Sequence, residues 1–244
     1  MRILKLLAHL LDYPTGDLIE HRQEIMDFIR VAADLDEVQR GALIGFLQDF
    51  DENTLLDRQS EYDGLFERGR SLSLHFFEHM HGESRDRGQA MVDLLAQYRE
   101  AGLDIGVREL PDYLPLYLEF ASTQAELAQQ WLQDIAPILA LLTVRSQQRE
   151  SRYGTLFALL LQLSDADIDL ESLRGEVKGE QRDDTPQALD KVWEEEVVSF
   201  VGAGNDGCGG QIPRPGESQR RDMDIPLRIL DPKSSPSSPL SAPN

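Results

Sequence analysis

The sequence contains few of the features that most often identify a function. Its 244 residues include one cysteine, Cys208, which excludes an intramolecular disulfide and a cysteine-based zinc cluster. No apolar run approaches the roughly 20 residues that a membrane-spanning helix needs. The apolar start of the chain ends at Pro14 without a small-residue cleavage site for a signal peptide. We therefore expect a cytoplasmic protein with no segment inserted in a membrane.

Positive charge is scarce as well. The chain has 24 Lys and Arg residues against 44 Asp and Glu, a net charge of −20, and the whole excess lies before residue 201. Such a surface repels nucleic acid and anionic membranes, whereas a cationic peptide is a natural partner. Solubility alone is a common reason for an acidic surface. Charge by itself therefore leaves open whether the protein binds a basic partner.

The spacing of the apolar residues predicts an all-α helical bundle, since no segment alternates apolar and polar residues for long enough to be a strand. The composition changes after Phe200. Seven of the 12 prolines and six of the 18 glycines lie in the last 44 residues, which is typical of chains without a packed core. We predict one helical domain over residues 1–200 and a disordered tail over residues 201–244.

Two helices around a polar turn form the centre of the predicted bundle. The first is indicated by apolar residues that recur every four positions, as on one face of a helix: Leu72, Phe76 and Met80. The second follows the turn at Gly82 and ends at Gly102. Two helices so close in sequence should pack antiparallel, with the turn exposed.

Local signals predict other boundaries. Thr54 with Asp57, and Asp34 with Glu37, have the spacing of a capping box at a helix start. Residues 164–179 are acidic and interrupted by glycine, so we interpret them as a loop with at most one poor helical turn.

The residues His75, Glu78 and His79 spell H-x-x-E-H, the order of zinc ligands and catalytic acid in inverzincins. Histidines four residues apart on a helix face the same way, but a catalytic zinc needs a third protein ligand and a water position. No recognisable downstream motif supplies that ligand. The simpler interpretation is a polar helix face, and we expect no enzyme activity, no metal and no cofactor. A zinc metallohydrolase is the alternative function.

Long strings of the sequence resemble a known family. The run from Leu65 to Tyr98 and the segment ELPDYLPLYLEF over residues 109–120 are similar to the NarJ family of nitrate reductase molybdenum cofactor assembly chaperones, within the wider TorD-like group. Further similar strings are DIAPILALL from Asp134 and RDDTPQALDKVWEEE from Arg182. The resemblance covers roughly residues 1–200, the extent of the predicted helical domain.

The resemblance implies an all-α cytoplasmic chaperone dedicated to the catalytic (alpha) subunit of a membrane-bound respiratory nitrate reductase. Such a chaperone binds the basic N-terminal segment of the apo subunit, holds it open for insertion of the molybdenum cofactor, and prevents premature membrane attachment. Its implied partners are this N-terminal peptide and molybdenum cofactor biosynthesis proteins.

The resemblance also implies a peptide site. The family element Y-x-x-L-F begins at Tyr62, and the turn that usually reads acidic-Pro-Asp-His has Tyr113 in place of the histidine. We expect Tyr62, Phe66 and Tyr113 to receive the apolar face of a helical peptide, with charged residues on the rim of a groove. The expected site residues are Tyr62, Leu65, Phe66, Glu78, His79, His81, Glu83, Glu109, Pro111, Asp112 and Tyr113.

Overall fold

Helices build the part of the chain that the computed structural model describes, which comprises residues 1–48, 54–82, 84–105, 109–188 and 190. No strand occurs within these ranges, and the predicted all-α class is confirmed. None of the described helices is both long and apolar enough to cross a bilayer. The tail predicted over residues 201–244 lies outside the described residues, so it stays a prediction.

The helices follow one another with short connections. Their bounds are α1 Ile3–Leu11, α2 Gly16–Glu20, α3 Arg22–Val31, α4 Glu37–Gln48, α5 Leu55–Tyr62, α6 Phe77–His81, α7 Arg85–Glu100, α8 Leu114–Thr123, α9 Ala128–Asp134, α10 Ala136–Gln148, α11 Gly154–Ser164 and α12 Leu170–Val177. A π-helical turn, Asp63–Glu67, extends α5, and a 3₁₀ turn, Ala125–Leu127, precedes α9.

Two helix pairs form the centre: α1 packs against α8, and α10 packs against α11. Helix α11 is buried on most of its circumference, with Leu156, Phe157 and Leu160 fully covered, as expected of a helix that is apolar all round. Helix α1 is different. It buries one side and keeps Lys5 and His9 exposed, so a polar stripe lies beside the contact with α8.

The capping box predicted at Thr54 is confirmed. The one predicted at Asp34 is wrong, because the reciprocal bonds form two residues later: the backbone N–H of Gln39 donates to Asp36 at 2.8 Å, and that of Asp36 donates to the Gln39 side chain at 3.0 Å. The Asp34 carboxylate accepts from the backbone N–H of Arg2 at 3.1 Å instead. It therefore stabilises the start of α1, to which negative charge is attracted.

The helix predicted across Leu72–Met80 is confirmed only over Phe77–His81. The backbone before it pairs with the turn that leads into α8, around an isolated bridge between His75 and Tyr113. Two hydrogen bonds flank the bridge: Phe76 N–H to the Asp112 carbonyl, 3.1 Å, and Leu114 N–H to the Leu74 carbonyl, 2.8 Å. Leu72 is fully buried whereas Met80 is 56% exposed, so the two do not share one face.

The loop predicted over residues 164–179 is also wrong, because it contains α12. The Asp169 carboxylate accepts from the backbone N–H groups of Glu171 and Ser172 at 3.0 and 3.2 Å, which satisfies donors at the helix start. Val177 is buried at the other end. Leu170 and Leu173 also pack against the core, so a cap and three apolar contacts hold this helix despite the acidic composition.

Candidate functional site

Several of the predicted site residues meet where the His75 bridge joins the turn before α8. The Tyr113 hydroxyl donates to the Asp12 carboxylate at 3.0 Å and lies 3.1 Å from the Tyr62 hydroxyl. The Tyr62 hydroxyl in turn reaches the Leu11 carbonyl at 3.1 Å. The imidazole of His75 lies against the Tyr113 ring, with centroids 5.4 Å apart. These contacts join the end of α1, the end of α5 and residues 109–113, the turn before α8 (the α8 turn).

A buried ion network lies behind this point. Asp112 is 0% exposed, and its carboxylate is 3.4 Å from both Arg87 and His75. Arg87 also pairs with Glu78 at 3.1 Å. The Asp112 carboxylate raises the pKa of His75. The expected place of Asp112 on the rim is therefore wrong: it holds α6, α7 and the α8 turn together from inside.

His79 faces a different set of partners. Its Nε2 lies 2.8 Å from the Ser73 carbonyl and so donates to it, while its Nδ1 is 3.4 Å from an Arg145 nitrogen. Burial, aided by the Arg145 charge, lowers the pKa of His79, which keeps the imidazole neutral.

The two histidines of the H-x-x-E-H string consequently do not converge. His75 precedes the start of α6 and faces Asp112, whereas His79 faces Ser73 and Arg145. The argument from helical spacing fails because only the second histidine is helical. Within the described ranges, no three His, Cys, Asp or Glu side chains are placed to hold a metal ion.

The aromatic residues expected to receive a peptide are mostly covered. Tyr62 is 1% exposed and Phe66 is 5% exposed. The Phe66 ring packs against Tyr62 and Tyr153, at centroid distances of 4.8 and 5.0 Å. In this structure both can support a groove from beneath, and neither presents a surface that a peptide could contact. Tyr113 is half-buried and keeps an accessible edge.

The remaining predicted residues are spread around this cluster. Leu65 and His81 are half-buried, and Glu109 is exposed. Pro111 is buried, and its carbonyl accepts from the Tyr98 hydroxyl at 2.8 Å. Glu83 lies outside the described residues.

The structure adds a surface that the sequence did not indicate, the α1 groove, which consists of two adjoining cavities along α1. The first, about 290 Å³, is lined by α1, the α8 turn and α8: His9, Asp12, Glu109, Tyr113, Leu116 and Glu119. The second, about 560 Å³, has a more apolar lining and lies between α1 and α3, beside Ser122 of α8. Its other lining residues are Arg2, Lys5, Leu6, His9, His21, Glu24, Ile25 and Phe28. His9 lines both cavities, and Lys5 pairs with Glu119 at 3.4 Å across their boundary.

Comparison with known proteins identifies the family. Residues 31–158 match the family model described as nitrate reductase delta subunit. The chain is also 53% identical over 208 residues to the nitrate reductase molybdenum cofactor assembly chaperone NarJ of Escherichia coli (strain K12), covering 84% of this chain and 87% of that protein. The chain belongs to the NarJ family.

Two further NarJ-family relatives differ in how far they match. The probable assembly chaperone NarW of Escherichia coli (strain K12) is 44% identical over 232 residues, which cover 95% of this chain and 97% of NarW. The probable NarJ chaperone of Bacillus subtilis (strain 168) is 28% identical over 177 residues, 70% of this chain and 93% of its own. The likeness to NarW thus extends beyond residue 200.

These NarJ-family relatives are named as assembly chaperones and not as enzymes, which confirms the expectation that the chain is not an enzyme. The matched region, residues 31–158, contains the buried network around Asp112. The α1 side of the groove lies before it.

Proposed function

We propose that the chain is a cytoplasmic chaperone that binds the N-terminal segment of the apo catalytic (alpha) subunit of a nitrate reductase. Binding would allow the molybdenum cofactor to be inserted and would prevent premature membrane attachment, and molybdenum cofactor biosynthesis proteins would be further partners. The supporting observation is the 53% identity to NarJ across 84% of the chain.

The α1 groove is the surface that best fits such a segment. Three exposed acidic side chains, Asp12, Glu109 and Glu119, lie around its first cavity. The second cavity is lined largely by apolar atoms, with Phe28 37% exposed. An amphipathic peptide helix with basic residues on one side can place its apolar face in such a groove. Acidic side chains beside it then contribute to orientation and association rate.

One acidic residue of the groove, Glu119, already forms an ion pair with a lysine of the same chain. Lys5 and Glu119 are 59% and 48% exposed at their side chains, and exposed ion pairs contribute little to stability. An arriving peptide cation would compete with Lys5 for the Glu119 carboxylate. The cost of displacing Lys5 is small, so removing Lys5 should strengthen the binding of a basic peptide by a small amount, mainly because one repelling charge leaves the groove.

Isothermal titration with a synthetic N-terminal peptide of the partner alpha subunit tests the proposal. We expect a dissociation constant of micromolar or lower, about −8 kcal/mol or more favourable. Salt should weaken binding by slowing association, because charges are screened over about 8 to 10 Å.

Matched variants locate the site. The single variants Glu109→Gln and Glu119→Gln should each weaken binding at low salt, and Lys5→Gln should strengthen it. Asp167→Asn, an exposed charge change in the loop before α12, serves as the control. If the wild type shows neither heat nor competition with the full-length apo subunit, the proposed function is wrong. If the wild type binds but the three groove variants behave like the control, the peptide binds elsewhere.

A further inference from the structure

The carboxylate of Asp183 lies in a nest of four hydrogen-bond donors. Its Oδ2 accepts from the backbone N–H groups of Arg70 and Ser71, both at 2.7 Å. Its Oδ1 accepts from the Ser71 hydroxyl at 2.5 Å and from the Arg149 guanidinium at 2.9 Å. Successive backbone N–H groups beside a hydroxyl and an arginine form a typical protein site for an oxyanion.

The nest is built by residues outside the segment that fills it. The Ser73 N–H donates to the Arg70 carbonyl at 3.1 Å and closes the turn. Gly69 lets the carboxylate approach the turn, since a Cβ at that position would lie 2.7 Å from the Asp183 oxygen. Close approach of the backbone to an anion is one of the uses of glycine.

Residues 180–184, the acidic strap, cover two arginines that lie one turn apart on α10. Glu180 binds Arg145 through both carboxylate oxygens, at 2.7 and 2.8 Å. Asp183 binds Arg149, and Asp184 pairs with the same guanidinium at 3.3 Å. Three carboxylates of one short segment thus face the two guanidinium groups of α10, and Asp184 is shared with Arg182 of the strap itself, 2.7 Å away.

The nest keeps one donor that the strap engages by an ion pair and not by a hydrogen bond. The Arg149 side chain is 8% exposed, and its second terminal nitrogen is buried without a hydrogen bond among the described residues, although it is ion-paired with Asp184. Beside the nest lies a cavity of about 430 Å³, lined by residues that include Ser71, His79 and Arg145. A ligand larger than a carboxylate has room there.

We propose that this nest is a binding site for a phosphate-bearing small molecule, closed here by the acidic strap, with the Asp183 carboxylate in the place of the phosphate. A phosphate fits better than a carboxylate once the strap is lifted, because its two charges match Arg145 and Arg149. Its oxygens also provide an acceptor for the unused Arg149 nitrogen.

The strap competes with the ligand because it occupies the same hydrogen-bond donors. It competes strongly because it belongs to the same chain. A group tethered by a short linker has an effective concentration of about millimolar, so phosphate should bind the wild type weakly. Removing the Asp183 carboxylate should expose the nest and strengthen phosphate binding.

The test measures amide hydrogen exchange at Arg70 and Ser71 in the full-length protein, with inorganic phosphate as the probe. In Asp183→Ala we expect both amides to exchange at least about tenfold faster than in the wild type, since each loses a bond to a charged group. Phosphate should slow them again, and sodium chloride at equal ionic strength should not. Adding Arg149→Gln to Asp183→Ala should abolish the effect of phosphate.

Three outcomes would overturn the proposal. Phosphate could fail to protect the two amides in Asp183→Ala, or protect them equally with Arg149→Gln present. Acetate could protect them as well as phosphate does, in which case the nest only anchors the strap. If Asp183→Ala does not fold, Asp183→Asn, which keeps the size of the side chain, is measured in the same way. Peptide binding in the α1 groove is a separate readout and should not change in these variants.

Discussion

Replacing Asp112 by Asn tests the interpretation of the buried ion network. The substitution keeps the size of the side chain and leaves the backbone carbonyl that accepts from Phe76 in place. It removes the negative charge that lies 3.4 Å from both Arg87 and His75. The change therefore acts on the network alone.

The expected loss of stability follows from what remains after the substitution. Breaking a buried ion pair by removing one partner costs about 3 to 5 kcal/mol when the other charge is left alone. Arg87 is not left alone here, because Glu78 stays 3.1 Å away and the Arg87 side chain is 19% exposed. We expect a lower cost, about 2 to 3 kcal/mol. For a domain of this size that is a fall in melting temperature of about 5 to 10 °C.

The loss should depend on pH through His75. The Asp112 carboxylate raises the pKa of His75 in the folded protein. The interaction between the two side chains therefore stabilises the fold fully below about pH 6.5, the ordinary pKa of histidine in an unfolded chain. The effect is lost as pH rises through the raised folded value. The difference in unfolding free energy between wild type and Asp112→Asn should therefore be larger at pH 6 than at pH 9.

Urea denaturation of both proteins at several pH values measures this difference in free energy, and thermal denaturation measures the fall in melting temperature, with Asp167→Asn as the control for an exposed charge change. A fall in melting temperature of less than about 2 °C in Asp112→Asn would refute the reasoning. So would a difference in free energy that does not change with pH.

Four further results are expected. Removal of residues 201–244 should leave the melting temperature and peptide binding nearly unchanged, and a fall of more than a few degrees would contradict the predicted domain boundary. Phe66→Ala should cost about 3 to 5 kcal/mol in urea denaturation, because it empties a buried aromatic site, and should weaken peptide binding only indirectly, through Tyr62, which packs on Phe66 and contacts Tyr113 of the α1 groove. Metal analysis of wild type, His79→Ala and Glu78→Gln should find no stoichiometric zinc in any of them. Although burial opposes the ionisation of Asp183, hydrogen bonds from Ser71 and Arg149 outweigh this effect and lower the pKa of Asp183 to about 2. Asp183 should therefore stabilise the fold above about pH 3.8 and lose this effect as pH falls towards 2, so the melting temperatures of wild type and Asp183→Asn should converge there.

Helix class and several boundaries could be predicted because they depend on residues close in sequence. The capping box at Thr54 needs only a partner three residues later. The end of α7 at Glu100, two residues before Gly102, likewise follows from a glycine that takes a positive φ at the end of a helix. The misplaced box at Asp34 shows the limit of such signals. The Asp34 carboxylate accepts a hydrogen bond from the backbone N–H of Arg2 at the start of α1. No pattern of neighbouring residues predicts this contact.

The errors around the site have the same cause on a larger scale. Leu72 and Phe76 have helical spacing and are both buried, yet the chain before α6 pairs with the α8 turn. Asp112 lies in a segment whose composition is typical of an exposed turn. Its burial depends on the ion pair with Arg87, which belongs to α7. Such contacts between distant segments override local propensity and cannot be inferred from spacing.

The α1 groove shows why a family can be recognised from sequence more readily than a site. Its acidic edge combines Asp12 of the first helix end with Glu109 and Glu119 from the α8 region, and these meet only because α1 packs against α8. Tyr113 fixes that arrangement by donating to Asp12. The phenol that stands in place of the usual histidine thus connects the α1 side of the groove to its α8 side by donating to a carboxylate. A change at Tyr113 should therefore alter the shape of the proposed peptide site as well as its surface.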